Sequence, residues 1–244
     1  MFEVIIGTSG WWYDHWQGKF YPPDMGKSAW FSYYSRFFSS VEINSTFYRL
    51  PFPNMVKGWA KKAPEGFKFT LKVWRRITHL HKLRNVKPDM EVFMERISPL
   101  KNKMGAFLYQ LPPSLRCDPQ LLEDFLLQIP QEFDQAVEFR NKSWLNKEIF
   151  SILKNHGVAF CIVSMPDFPE IIEVTCQISY IRFHGKKILY GSSYSNEELL
   201  SWAKIIKDFS KEGVKRVYVY FNNDYEAFAV FNALRLQEIL QEMV

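Results

Sequence analysis

The chain has 244 residues, close to the roughly 250 of a (β/α)8 barrel, and 47% of them are hydrophobic, enough for one large core. A formal net charge of +5 permits an anionic ligand without requiring one. Cys117, Cys161 and Cys176 form an odd set without a CxxC pair, which argues against a disulfide framework and for a reducing compartment.

Glu3–Ile6 reads as the first strand, and Gly7-Thr8-Ser9-Gly10 after it as a tight turn with exposed N–H groups. Trp11, Trp12, Tyr13 and Trp16 follow, either capping the core or forming a stacking wall. Ser28–Phe38 is expected to be a helix with a stripe through Phe31, Tyr34, Phe37 and Phe38. Val41–Asn44 is a strand, Ser45–Tyr48 a loop and Met55–Lys62 a short helix. Phe67–Lys72 is the third strand; the loop beyond carries Arg75, Arg76, Thr78, His79 and His81. A helix over Asp89–Leu100 leads to a strand over Gly105–Gln110, ended by Pro112 and Pro113. Pro119–Gln128 is a helix and Asp134–Arg140 the fifth strand. Lys147–Asn155, Val158–Val163, Ser179–His184, Asn196–Lys211 and Arg216–Phe221 continue the alternation. A helix through Phe228, Phe231, Leu234 and Leu240 closes it.

Strand and helix alternate about eight times, which calls for parallel strands and crossover helices. No linker divides the chain, so residues 1–244 are expected to form one domain. The parity within strands chooses the architecture. Val41 and Ile43 oppose Glu42 and Asn44; Ile181 and Phe183 oppose Arg182 and His184. An open sheet covered on both faces would be apolar on both. One apolar and one polar face fits an α/β fold of the TIM type, a (β/α)8 barrel with polar residues in its lumen.

In such a barrel the site lies at the C-terminal ends of the strands. The inward residues there are Glu42, Asn44, Lys72, Gln110, Glu138, Arg140, Arg182, His184 and Asn222, with His79, Asp167 and Asn223 in the loops beyond. Lys72, Arg140 and Arg182 outnumber Glu42 and Glu138, and paired arginines suit a phosphate or carboxylate. Each arginine could equally pair with a glutamate. Glu138 or Glu42 would be the general base, and His184 or His79 the acid. As a glycosidase pair the glutamates are handicapped by cations that keep both ionised. Metal is not favoured: Glu42, Glu138, His79 and His184 show no ligand spacing, and the cations oppose a dication. The cofactor is left unknown. Trp11, Tyr13, Tyr48 and Trp144 would offer flat faces to a base or sugar, or act only as a lid.

Seven stretches together resemble a known family. They are Gly7–Trp11 with Tyr13 and Trp16, Val41–Tyr48, Ile77-Thr78-His79, Gln110–Pro113, Val137–Arg140 with Ser143-Trp144, Arg182–Gly185, and Tyr220–Asn223. In order and spacing they are similar to the domain-of-unknown-function 72 family (YecE-like). The resemblance implies a TIM-type barrel and a prokaryotic cytoplasmic protein without an established activity. It also implies kinship with endonuclease IV-like barrels, which points towards nucleic acid. The family often carries an acidic residue soon after strand six; here Ser164 and Met165 precede Asp167.

The expected function is therefore an uncharacterised enzyme, or enzyme-like binder, of a phosphate-bearing ligand such as nucleic acid or a phosphorylated small molecule. The alternatives are a metal-independent enzyme on a sugar or sugar phosphate, and a non-catalytic nucleic-acid-binding module. No basic-then-apolar leader and no apolar run near the roughly 18 residues of a span are read, so a cytoplasmic protein without a membrane partner is expected.

Overall fold

The computed structural model describes residues 2–243. Eight strands, β1 (Glu3–Thr8), β2 (Ser40–Ile43), β3 (Lys68–Lys72), β4 (Met104–Gln110), β5 (Asp134–Glu138), β6 (Ala159–Ser164), β7 (Ile178–Phe183) and β8 (Arg216–Phe221), follow the alternation read from the sequence. The helices are α1 (Trp30–Tyr34), α2 (Ser45–Tyr48), α3 (Pro53–Lys62), α4 (Lys87–Ile97), α5 (Pro119–Leu126), α6 (Lys147–Asn155), α7 (Asn196–Asp208) and α8 (Phe228–Glu242). The sheet order is β1-β8-β7-β6-β5-β4-β3-β2, and every neighbouring pair is parallel. This is a nearly closed (β/α)8 barrel, as the parity required.

Local chemistry starts the helices where they are needed. Asp118 accepts the Leu121 N–H at 3.0 Å, with Pro119 opening α5. Asn146 accepts the Ile149 N–H at 3.1 Å ahead of α6. Ser195 and Glu198 form a reciprocal capping box on α7.

Two apolar layers result. Between sheet and helices lie Val41, Ile43, Phe69, Phe107, Val137, Ile162, Ile181 and Phe221 among many others. The lumen holds a second, smaller cluster. There Tyr180, Tyr218 and Tyr220 fill the volume that Ala106, Ala136 and Ala159 leave on the facing strands. At the N-terminal end the Tyr218 hydroxyl and the Arg216 guanidinium donate to Asp134 at 2.8 and 2.6 Å. Above it the Tyr220 hydroxyl lies 2.6 Å from Ser40 Oγ and 2.7 Å from Thr70 Oγ1.

The seam between β1 and β2 departs from the sequence reading. Gly7 and Thr8 belong to β1 rather than to a turn. A Cβ on Gly7 would lie 2.3 Å from the Ser40 carbonyl oxygen, so glycine is required by close approach. Beyond a bridge between Ser9 and Glu42, the join is made by a side chain. The Thr8 N–H donates to the Tyr34 hydroxyl at 3.0 Å, and that hydroxyl donates to the Ser40 carbonyl at 3.0 Å. Placing this hydroxyl explains why α1 is short: the chain turns after Tyr34, Phe38 is buried, and Phe37 is left on the surface rather than in the stripe.

Other boundaries moved for identifiable reasons. β5 ends at Glu138 because β4 ends at Gln110, and Pro112 and Pro113 offer no N–H to extend the ladder. Ser45–Tyr48 coils into α2, where the Thr46 hydroxyl is within reach of both the Ile43 and Lys72 carbonyls, at 3.0 and 2.7 Å. Arg76–Leu80 forms a π-type turn that holds His79 beside the mouth.

Candidate functional site

The C-terminal mouth of the barrel is built on one buried ion network. Arg182, near the end of β7, is 1% exposed and lies between two fully buried carboxylates. Its Nη2 donates to Glu42 Oε1 at 2.6 Å and its Nη1 to Glu138 Oε2 at 2.6 Å. Ser9 Oγ donates to Glu42 Oε1 at 2.6 Å, and the Tyr180 hydroxyl to Glu42 Oε2 at 2.5 Å. Gln110 Nε2 donates to Glu138 Oε1 at 2.8 Å, an oxygen that also pairs with Arg140 Nε. All four carboxylate oxygens are thus engaged, as buried charges must be.

The protonation states follow from these neighbours. Burial alone would raise the Glu138 carboxyl, but Arg140 and Arg182, with His184 and Lys72 beyond, hold it well below the usual carboxylate range. His184 is pushed well below its ordinary value by burial, then by Arg182 and Arg140. Its Nε2 faces Arg140 Nη2 at 3.0 Å and Arg182 Nη1 at 3.5 Å. Guanidiniums only donate, so Nε2 accepts and the proton sits on Nδ1. The Asn222 amide nitrogen is placed 3.1 Å from that Nδ1, so it is the Asn222 Oδ1 that must turn to receive the proton. Burial, then Lys72 and Arg75, lower His79 to about 4.

Lys72 is the exception to this pairing. It is 7% exposed and closes β3. Its Nζ donates to Gln110 Oε1 at 2.9 Å and lies 3.9 Å from the centre of the Phe47 ring. Among the described residues no carboxylate forms a salt bridge with it. Burial, then Arg182, bring its amine down from the usual 10.5 to about 7.

Lys72, Gln110, Arg182, Asn44 and Asn222 open on a cavity of about 260 Å³ at the mouth, walled by Tyr13, Tyr48, Tyr190 and Asp224. Asn44 Oδ1 and Arg182 Nε are buried there without a protein partner. Beside it, sharing Tyr13 and Asn44, lies a larger groove of about 690 Å³. Trp11, Trp12 and Trp59 line that groove together with Lys27, Arg49 and Lys62.

The structure therefore brings Glu42, Asn44, Lys72, Gln110, Glu138, Arg140, Arg182, His184 and Asn222 together, with His79 and Tyr13 at the edge. It changes what several can do. Every oxygen of Glu42 and Glu138 is already hydrogen-bonded, which weakens either as a general base, and Arg182 stands between them where a glycosidic bond would have to lie. His184 presents an acceptor, not an acid, to the arginines. Arg182 has spent its fork on the glutamates, whereas Arg140 keeps N–H groups to spare, its Nη1 meeting only Met165 Sδ at 3.2 Å. Trp144 does not reach the mouth: it is fully buried, stacked on Phe139 at 5.0 Å, with its Nε1–H bonded to the Leu115 carbonyl. Asn223 is buried too, donating to the Ser192 carbonyl and to Asn232 Oδ1. Tyr48 is 67% exposed on the rim. Asp167 is exposed and lies outside the cavity lining.

Sequence reasoning missed Ser9, Tyr180, Tyr190 and Asp224. Tyr180 shares the parity of Arg182 and was legible as inward. Tyr190 was not: its backbone turns to φ 62° and its N–H reaches back to the His184 carbonyl, a loop contact with no pattern in the chain.

Fold and mouth together define the class: a TIM-type barrel with a polar site at the C-terminal ends of its strands. The sequence pattern described as "Protein of unknown function DUF72" matches residues 5–244, and the chain belongs to that family. It is 25% identical to the UPF0759 protein YunF of Bacillus subtilis over 97% of this chain and 94% of that one. With the UPF0759 protein YecE of Escherichia coli K12 it shares 35% identity over 47% of this chain and 42% of that one. The fold matches the crystal structure of a DUF72 family protein from Thermotoga maritima with a TM-score of 0.88 at 32% identity, covering 98% and 99% of the two chains. A second member, from Enterococcus faecalis, matches in fold with a TM-score of 0.85 at 24% identity, covering 98% and 95%. Among the described residues no helix is long and apolar enough to cross a membrane, and no three His, Cys, Asp or Glu side chains converge as a metal would need.

Proposed function

We propose that this protein is an enzyme whose barrel mouth takes a small anionic metabolite bearing a phosphate or carboxylate, in the bacterial cytoplasm, with residues 1–244 forming one domain. Lys72, on the cavity wall, meets the anion, and Arg140, outside the lining but with an Nη1 that meets only Met165, turns in to it. The observation that carries the reading is Lys72: a buried cation facing a polar cavity and, among the described residues, in no salt bridge, with Asp224 the one carboxylate on the cavity wall. A charge buried without a partner is costly, and a ligand that supplies the missing anion offsets the cost. At about 260 Å³ the cavity suits a metabolite of a few carbons, sugar phosphates included.

The test is thermal unfolding at low salt with inorganic phosphate and glycerol 3-phosphate. A ligand at a hundred times its Kd adds about 2.7 kcal/mol, and a rise of roughly 5–10 °C in Tm follows. Arg140→Ala should abolish that rise. A rise that Arg140→Ala leaves intact, or none in the wild type, sinks the reading.

The neighbouring groove favours a second reading, in which the ligand is single-stranded nucleic acid. Tryptophan faces can stack bases, and Lys27, Arg49 and Lys62 can follow a backbone. Anisotropy of labelled oligonucleotides decides it: binding must weaken with salt and fall in the double variant Trp12→Ala, Lys62→Ala.

A further inference from the structure

Lys72 differs from every other group in the mouth. Glu42 and Glu138 are each bound to an arginine, His184 is neutral with its acceptor nitrogen against two guanidiniums, and Arg140 and Arg182 hold no lone pair. Lys72 ends in a primary amine at the cavity wall, held by one amide oxygen and one aromatic face.

We propose that Lys72 is a carbonyl-trapping amine, condensing with the aldehyde or ketone of a small anionic metabolite to form a Schiff base in the mouth cavity. This rests on the anion-site reading above and names the substrate class of that same site.

Three features of the geometry support it. The Nζ is fixed rather than mobile, because Gln110 and Phe47 hold it from two sides. Gln110 is itself held, its amide donating to Glu138, so its Oε1 is aimed at the lysine and can take a proton-bearing nitrogen through the reaction. Burial is what chiefly opposes protonation of the amine, and the fixed charges around it largely cancel. Arg182 from β7 and Arg140 after β5 repel the ammonium; Glu138 and Glu42 attract it, but each is already neutralised by arginine. His79, on the π-type turn, is uncharged near neutrality. Asp224 on the cavity wall, the Gln110 oxygen and the Phe47 face also favour the ammonium. Burial still keeps a large share of the amine neutral near pH 7, the form that attacks carbon.

The step balances without an oxidant or reductant. The nitrogen lone pair bonds to the carbonyl carbon, and the C=O π pair moves to oxygen, which takes a proton. The nitrogen sheds a proton. A second proton turns the hydroxyl into water, which leaves as the nitrogen pair closes C=N. One amine, one carbonyl and one proton give an iminium and one water. The iminium is an electron sink that eases loss of a proton or of a carbon fragment from the neighbouring carbon. Arg140 meanwhile holds the phosphate or carboxylate that orients the molecule.

The test uses the intact protein with dihydroxyacetone phosphate or glyoxylate and sodium cyanoborohydride, which reduces the iminium to a stable secondary amine. Peptide mass mapping then compares Lys72 with the exposed Lys61 and Lys62 of the same sample. At pH 7 an amine titrating near neutrality has about a thousandfold more neutral form than an ordinary lysine. Even with restricted access, Lys72 should carry over about tenfold more adduct than either comparator. Its labelling should rise through pH 7 while theirs rises only towards pH 10. Glycerol 3-phosphate, which has the anion but no carbonyl, should compete. Labelling of Lys72 no greater than that of Lys61 and Lys62, with glycerol 3-phosphate still raising Tm, overturns the carbonyl inference and leaves the anion site standing. Failure of glycerol 3-phosphate to bind removes both.

Discussion

At the scale of single residues the mouth is governed by who answers whom. Arg182 is so buried that it needs two carboxylates as counter-charges, and Glu42 and Glu138 are committed to that task. Glu138→Gln would leave Arg140 and Arg182 one counter-charge short. Breaking a buried pair from one side costs about 3–5 kcal/mol, so the urea midpoint should fall by that amount over the m-value. A loss under about 1 kcal/mol would mean that water already reaches the network and screens it. The sequence disclosed the membership of this cluster, because Glu42, Glu138, Arg140, Arg182 and His184 share the inward parity of their strands. It did not disclose the pairing. That Arg182 divides its fork between Glu42 and Glu138, and that His184 accepts rather than donates, depends on how β2, β5 and β7 are staggered round the barrel. Register across strands leaves no mark within one strand.

At the scale of elements the weak point is the seam between β1 and β2. Elsewhere neighbouring strands share at least two register pairs; here a single bridge and the Tyr34 hydroxyl serve. Tyr34→Phe removes that hydroxyl and leaves the buried Thr8 N–H and Ser40 carbonyl unpaired. The cost should be about 1–3 kcal/mol. Hydrogen exchange should localise it: the Thr8 amide should lose protection while amides between β7 and β8 keep theirs. Unchanged protection at Thr8 would show that the seam closes without the hydroxyl. Gly7→Ala tests the same place from the other side, since its Cβ would meet backbone rather than a yielding side chain. This seam was invisible in the sequence for a plain reason. Gly7-Thr8-Ser9-Gly10 has the composition of a turn, and only the approach of Ser40 from a distant strand turns its first half into β1. The same distant demand shortens α1: the 3.6-residue stripe predicted a helix to Phe38, and the need to place one hydroxyl stopped it at Tyr34.

At the scale of the whole molecule the outer ring of apolar side chains stabilises the barrel, and the mouth spends part of that stability. The terms separate by pH. Lys72 titrates near 7 in the fold and near 10.5 when unfolded, so between those values the unfolded chain binds more protons and stability rises with pH. His184 and His79 are lowered likewise, so their contributions are lost as pH falls below the ordinary histidine value. Glu138 is depressed, so what it adds is present above the usual carboxylate range and is lost progressively as pH falls through and below it. The buried Tyr34, Tyr180 and Tyr220 are raised, so their contribution is present below about pH 10 and lost above it. The lysine and histidine signs move the optimum to the alkaline side, and the tyrosines cap it from above near pH 10. The free energy of unfolding should therefore peak at about pH 8–10 rather than in the common range of roughly 5–8. Lys72→Met identifies the group responsible. It removes the buried amine while keeping an unbranched apolar stem over Phe47, so it should stabilise the protein by a few kcal/mol at pH 6. The gain should shrink steadily between pH 7 and 10, as the wild-type amine becomes neutral in both states. A gain that is equal at pH 6 and pH 10 would reflect better packing alone, and Lys72 would then be an ordinary cation screened by solvent.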